Sequence, residues 1–141
     1  MALTGSVWAD QRARLDRLNG AIDLARRYPA TVDRASLDTW TEHQVAALPA
    51  GCATVVFHSV VSEYLRVQVR ERFVAALRDA GARATNARPL AWVQLEPISA
   101  LRHHGLELTL WPGGETSILA RCSAHGSDVE WLGDDKHPVG R

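Results

Sequence analysis

Polar side chains that could carry out acid–base chemistry follow one apolar stretch of the chain. The stretch reads ATVVFHSVVSEYL, and in it Val55 to Phe57 lead directly into His58 and Ser59. In open α/β sheets, ligands bind beyond the carboxyl ends of the strands. A histidine at such a place can act as a general base near neutral pH. The segment therefore predicts a site in which His58 is a catalytic residue.

A carboxylate stands at the end of the next apolar stretch. The sequence PLAWVQLEP places Glu96 just before Pro97. A carboxylate beside an imidazole fixes its tautomer and raises its basicity, so His58 and Glu96 would form a catalytic acid–base pair if the two strands are neighbours. Two simpler interpretations stay open: His58 caps the strand or the next helix, and Glu96 is a solvated strand end.

Two further patterns are weaker signals of chemistry. Ser59 lacks the G-x-S-x-G turn of serine hydrolases, and adjacent residues of a strand point to opposite faces, so Ser59 and His58 make a poor nucleophile–base pair. His103 and His104 are adjacent and have no third ligand at a recognised spacing. The sequence therefore predicts no metal site.

The spacing of apolar residues predicts the elements that would position these groups. It indicates helices over residues 10–28, 38–48 and 67–80, the second starting with a capping box of Thr39 and Glu42 and the third ending at Gly81 as a left-handed C-cap. It indicates strands over 30–32, 53–58 and 89–97, a hairpin of 106–111 and 116–123 joined by Pro112 to Glu115, and a last strand over 127–132. The five Trp residues are interpreted mainly as core anchors.

Composition limits the class of protein. The chain has 141 residues, enough for one domain, which we expect to span residues 1–132 and to be followed by a flexible tail over 133–141. Sixteen basic and sixteen acidic residues give zero net charge, which argues against nucleic acid or an anionic membrane surface as the partner. No apolar run approaches the length of a membrane span. Cys52 and Cys122 are isolated in sequence, as expected of reduced thiols in a cytoplasmic protein.

Four segments resemble an uncharacterised bacterial family, domain-of-unknown-function family 2332. They are VWADQRARLDRL, TVVFHSVVSEYL, LAWVQLEP and LELTLWPGGETSILARCSAHGSDVEWL. In this resemblance the chain corresponds to the C-terminal portion of the family, which is similar to the C-terminal half of class I S-adenosylmethionine-dependent methyltransferases. The resemblance implies an α/β fold, a partial Rossmann-like, methyltransferase-type sheet with flanking helices and a C-terminal antiparallel β-hairpin. It also implies that Ser59, Glu63 and Tyr64 face S-adenosylmethionine.

The resemblance also implies that part of the cofactor site is missing. The family's Gly-containing first turn has no counterpart here, and Arg34-Ala35-Ser36 stands where the family carries Gly-Asp-Ala. A sheet that lacks its first strands leaves the strand over Thr54–His58 with an open edge, which is a pairing site for another chain. We expect this edge to be covered by the strand at Thr31–Val32, by a second copy in a homodimer or by a chain that supplies the missing strands. The alternative is that the chain is a marginally stable fragment.

Three functions follow from these observations. The first is a methyltransferase-like domain that lacks the Gly-rich cofactor-binding half and is not catalytic alone. The second is an interaction or self-association module that uses the exposed strand edge. The third is a small hydrolase based on Ser59 and His58. The sequence does not specify a substrate.

Overall fold

The computed structural model describes residues 4–98, 103–126 and 128–132. The chain divides into two compact units, Met1–Arg34 and Ala35–Arg141, which are described separately. The predicted tail over 133–141 lies outside the described residues.

The first unit contains one long helix. A 3₁₀ turn at Thr4–Ser6 precedes helix α1, Arg12–Arg27. This helix confirms the prediction over 10–28, and none of its residues is buried. The predicted strand at Ala30–Val32 is wrong, because this segment is irregular and Val32 is exposed. A segment of three residues, Ala-Thr-Val, is too short to specify a strand without a partner in the sheet.

The second unit is a mixed α/β structure. Its elements are α2 (Leu37–Gln44), β1 (Thr54–Ser59), a 3₁₀ turn (Ser62–Tyr64), α3 (Val67–Arg83), β2 (Leu90–Ile98), β3 (His103–Trp111), β4 (Glu115–Cys122) and β5 (Val129–Trp131). The strands form one sheet in the order β1-β2-β3-β4-β5. Only β1 and β2 are parallel, and the other neighbouring strands are antiparallel. The partial Rossmann-like sheet implied by the resemblance would be mainly parallel, but this sheet contains one parallel pair and is mostly antiparallel. The C-terminal hairpin is confirmed as β3 and β4.

One face of the sheet carries the core. Phe73, Leu77 and Ala80 of α3 are buried against Leu90 of β2, and Val45 after α2 belongs to the same cluster. Val56, Trp92 and Trp111 pack against it from the strands. We call this side of the sheet the helix face. Alternate residues of β1 point the other way, to the far face, where Val55 and Phe57 are 59% and 63% exposed. An uninterrupted apolar run is typical of a strand that is buried on both faces, and the open far face of β1 departs from that expectation.

Gly81 does not end helix α3. It lies within the helix, and a Cβ atom built on it would come 2.4 Å from the indole Cε2 of Trp111. The predicted left-handed C-cap is wrong, and the physical role of this glycine is to let the helix approach the Trp111 ring. The turn between β3 and β4 does require glycine, because Gly113 and Gly114 have φ angles of 118° and 74°.

A buried carboxylate fixes the start of helix α2. The N-cap is Ser36, so the predicted capping box at Thr39 and Glu42 is wrong. The Ser36 hydroxyl donates a hydrogen bond to Asp38, and the Arg72 Nε of α3 lies 2.8 Å from the other Asp38 oxygen. The Ser36 hydrogen bond, with help from the Thr39 amide and the Arg72 charge, lowers the pKa of Asp38 against the opposing effect of burial. The ion pair ties α2 to α3.

Candidate functional site

The structure brings His58 and Glu96 together at the carboxyl ends of the parallel pair. His58 lies beside Gln94 in the register of β1 and β2, and Glu96 follows two residues later on the same face. The His58 Nδ1 and Glu96 Oε1 atoms are 2.9 Å apart, and both side chains are largely buried. The expectation that these residues share one edge of the sheet is confirmed. Their catalytic role stays a prediction.

The second ring nitrogen of His58 is also engaged. The Trp92 Nε1 atom lies 3.0 Å from His58 Nε2. Because an indole N–H can only donate a hydrogen bond, Nε2 must accept it and carries no proton. His58 is therefore neutral, with its proton on Nδ1, and this N–H donates to Glu96. Hydrogen bonds thus link Trp92 to His58 and His58 to Glu96. We call these three side chains the Trp–His–Glu relay.

Glu96 also holds the backbone that follows β1. Its Oε1 atom accepts the Val61 N–H at 2.9 Å, and the Ser62 N–H lies 3.3 Å from both carboxylate oxygens. Val60, one residue earlier, has a φ angle of 47°. Such a conformation is rare for a β-branched residue and costs about 1–3 kcal/mol, so the surrounding contacts must impose it. Glu96 therefore acts as the anchor of a strained turn.

This arrangement limits what His58 can do. A general base needs a lone pair within hydrogen-bond reach of the proton that it removes. The only lone pair of the neutral His58 ring points at the Trp92 indole. Proton transfer at His58 would therefore require Trp92 to release it first. The geometry favours the interpretation of His58 as a structural link between two strands.

A cleft of about 460 Å³ lies over these residues, a volume within the range of small-molecule sites. His58, Gln94 and Glu107 form a row across β1, β2 and β3 and line it, together with Glu63 and Arg70. The Gln94 Nε2 donates to Glu107 Oε2 at 2.8 Å. Burial raises the pKa of Glu107, and the hydrogen bond from Gln94 partly offsets this effect.

Sequence reasoning missed three members of this site, Trp92, Gln94 and Glu107. Trp92 and Gln94 precede the predicted Glu96 at intervals of two residues, so a strand assignment alone places these three residues on one face. That signal was present in the sequence. Glu107 could not be found in the same way, because its position beside Gln94 depends on the register between β2 and β3.

The three residues implied as cofactor contacts do not lie together. Glu63 lines the cleft. Ser59 is exposed on the far face of β1, opposite His58, and Tyr64 is 77% exposed. Neither Ser59 nor Tyr64 is among the residues that line the cleft. The separation of Ser59 from His58 agrees with the alternation expected in a strand and removes support for a Ser–His hydrolase.

Other candidate groups form no further site in the described residues. His103 is exposed at the start of β3, and no group of three or more His, Cys, Asp or Glu side chains in this part of the chain could hold a metal ion. Both cysteines are free, Cys52 exposed and Cys122 buried. None of the described helices is long and apolar enough to cross a membrane.

Comparisons with known proteins give one match. Neither a curated protein nor a solved structure matches the chain significantly. The profile of the family described as "Uncharacterized protein conserved in bacteria (DUF2332)" matches residues 1–131. Because this match spans nearly the whole chain, the protein belongs to the DUF2332 family.

Proposed function

We propose that this chain is an interaction domain that accepts a β-strand along the open edge of β1. The observation that carries the proposal is the position of β1 at the end of the sheet order. Among the described residues, β1 pairs only with β2, and its apolar side chains Val55 and Phe57 are mostly exposed. Strand addition to such an edge is a recurrent mode of peptide recognition.

The backbone of β1 has hydrogen-bonding groups to offer. The N–H groups of Thr54 and Val60 bond to carbonyls of the β2 side, at 2.9 and 2.8 Å. Backbone groups alternate between the two edges of a strand. The N–H and C=O groups of Val55, Phe57 and Ser59 therefore point to the open edge. The strand carries no Lys, Glu or Pro of the kind that blocks unwanted pairing.

A peptide that copies β1 tests the proposal. A labelled peptide of residues 53–60, with lysines added at both ends for solubility, is titrated with the protein and followed by fluorescence anisotropy. We expect saturable binding, and none by a scrambled peptide.

Two variants of the protein distinguish the contribution of the residue 57 backbone N–H to peptide binding from the contribution of the side chain. Phe57→Pro removes an N–H that points to the open edge and leaves the bonds to β2 in place, as is tolerated on edge strands. Phe57→Ala keeps that N–H. We expect Phe57→Pro to weaken binding by about tenfold or more, and Phe57→Ala to have a smaller effect. Equal binding by wild type and Phe57→Pro, both shown to be folded by circular dichroism, would contradict the proposal.

A second candidate function rests on the cleft. It lies at the carboxyl ends of the parallel strands β1 and β2, where open α/β sheets bind ligands, and Glu63 lines it. The resemblance of the family to methyltransferases makes S-adenosylmethionine the cofactor to test. Titration calorimetry with S-adenosylhomocysteine should give micromolar binding that Glu63→Gln weakens. Absence of heat with folded protein would leave the interaction domain as the sole proposal.

A further inference from the structure

We propose that the strand accepted by β1 is the β1 strand of a second copy, paired antiparallel about a two-fold axis at Phe57. This inference rests on the proposed function and specifies its partner. A closed dimer that pairs one edge with itself is isologous. If a residue of one copy contacts a given residue of the second copy, the same contact is therefore repeated with the two copies exchanged. In β1, this symmetry and the hydrogen-bond pattern select one register.

The register follows from the three residues that point outward. In antiparallel pairs, residues that face the partner strand exchange both of their hydrogen bonds with the residue opposite. With the axis at Phe57, Phe57 meets its own counterpart and Val55 meets Ser59 of the second copy. All three outward residues are then paired, which gives about six hydrogen bonds. Moving the axis to Val56 or His58 leaves two such pairs within the strand, or about four bonds.

Charges and side chains are compatible with this pairing. The whole chain has zero net charge, so two copies do not repel each other through a net field. The one ionisable side chain of β1, His58, is on the helix face and is engaged by Glu96 and Trp92. On the far face, the two exposed Phe57 rings would be neighbours across the axis, and cross-strand aromatic pairs stabilise sheets.

Disulfide trapping tests the register. In a Cys52→Ala background, which leaves the buried Cys122 as the remaining natural thiol, the substitution Phe57→Cys puts two thiols at a hydrogen-bonded pair. The Cα atoms there are about 5.5 Å apart, within the range of disulfides. Val55→Cys is the matched control, because its counterpart lies four residues along the ladder, about 14 Å away.

We expect Phe57→Cys to form a covalent dimer under mild oxidation and Val55→Cys alone to stay monomeric. Mixing the Val55→Cys and Ser59→Cys proteins should give a cross-linked heterodimer, which provides a second readout at exposed positions. Sedimentation velocity should show that the uncrosslinked wild type dimerises and that Phe57→Pro does not.

The outcomes separate this inference from the function on which it rests. A wild-type chain that stays monomeric at all concentrations, or a dimer in which Val55→Cys cross-links and Phe57→Cys does not, overturns the inference. If the β1 peptide still binds in either case, the edge accepts a strand and the proposed function stands. If neither the peptide nor a second copy binds, both are wrong.

Discussion

Replacing Glu96 by Ala should lower the free energy of unfolding by about 3 kcal/mol. Glu96 is 5% exposed and accepts hydrogen bonds from three donors: the His58 Nδ1–H and the N–H groups of Val61 and Ser62. A hydrogen bond to a charged group contributes about 1.5–3 kcal/mol, and a buried donor left unsatisfied costs about 1–3 kcal/mol. Because the cleft can admit water to replace part of the carboxylate, the total should be well below the sum of three such losses.

The strained turn adds to this expectation. The φ angle of 47° at Val60 is held by contacts that include Glu96. Without the carboxylate, the Val61 and Ser62 amides lose their acceptor and the turn can relax. Glu96→Gln keeps one oxygen acceptor but turns an amide N–H toward a backbone donor, so we expect a loss of about 1–2 kcal/mol.

Urea unfolding followed by circular dichroism is the appropriate measurement, with an unchanged m-value as the check for two-state behaviour. Glu63→Ala is the matched control, since it removes an exposed carboxylate from the same cleft. It should change the free energy by less than about 0.5 kcal/mol. If Glu96→Ala costs no more than Glu63→Ala, then Glu96 does not anchor the turn and our interpretation of the relay is wrong.

Three further predictions concern other parts of the molecule. Gly81→Ala should destabilise the fold by about 1–2 kcal/mol, because overpacking against Trp111 outweighs the helix preference of Ala. Gly20→Ala is the control, since Gly20 has open space around it, and it should be neutral or stabilising. Urea unfolding of both variants measures the two effects. Burial raises the pKa of the Glu107 carboxyl group above its ordinary 4.5. The folded state therefore favours the protonated carboxyl group, whose contribution to the free energy of unfolding is complete below about pH 4.5 and is lost as the pH rises through the folded-state pKa. The free energy of unfolding of Glu107→Gln relative to wild type should therefore increase with pH, and a constant difference between about pH 4 and 7 would contradict this. A chromogenic thiol reagent should modify exposed Cys52 quickly and buried Cys122, whose pKa is raised by burial, only on unfolding; Cys52→Ala should abolish the fast phase.

The sequence predicted the elements that have long apolar patterns. It also predicted which side chains come together where two of those elements are neighbours. The runs over 53–58 and 89–97 are strands, and because they are parallel neighbours, His58 and Glu96 meet as expected. An uninterrupted apolar run does not reveal whether a second layer covers the sheet. For this reason the exposure of Val55 and Phe57 was not predicted.

Register accounts for most of what the sequence did not reveal. The ladder between β3 and β4 has a bulge, so that Leu106 pairs with Ala120 and Glu107 with Ile118. Two adjacent residues of β3 are thus paired with residues that lie two positions apart on β4. The strict alternation of side chains between the two faces of a sheet therefore does not hold along 116–123. The contact of Gln94 with Glu107 and the hydrogen bond of Trp92 to His58 likewise depend on pairings that local patterns do not encode.

The strained turn at Val60 also bears on the order in which the chain folds. The groups that hold it, the Leu95 carbonyl and the Glu96 carboxylate, belong to β2, and Glu96 lies 35 residues beyond Val61. Such distant contacts require the closure of a long loop, so the turn reaches its unusual φ angle after β2 has paired with β1. A substitution that relieves the strain, such as Val60→Gly, would then act mainly on the unfolding rate and leave the folding rate nearly unchanged.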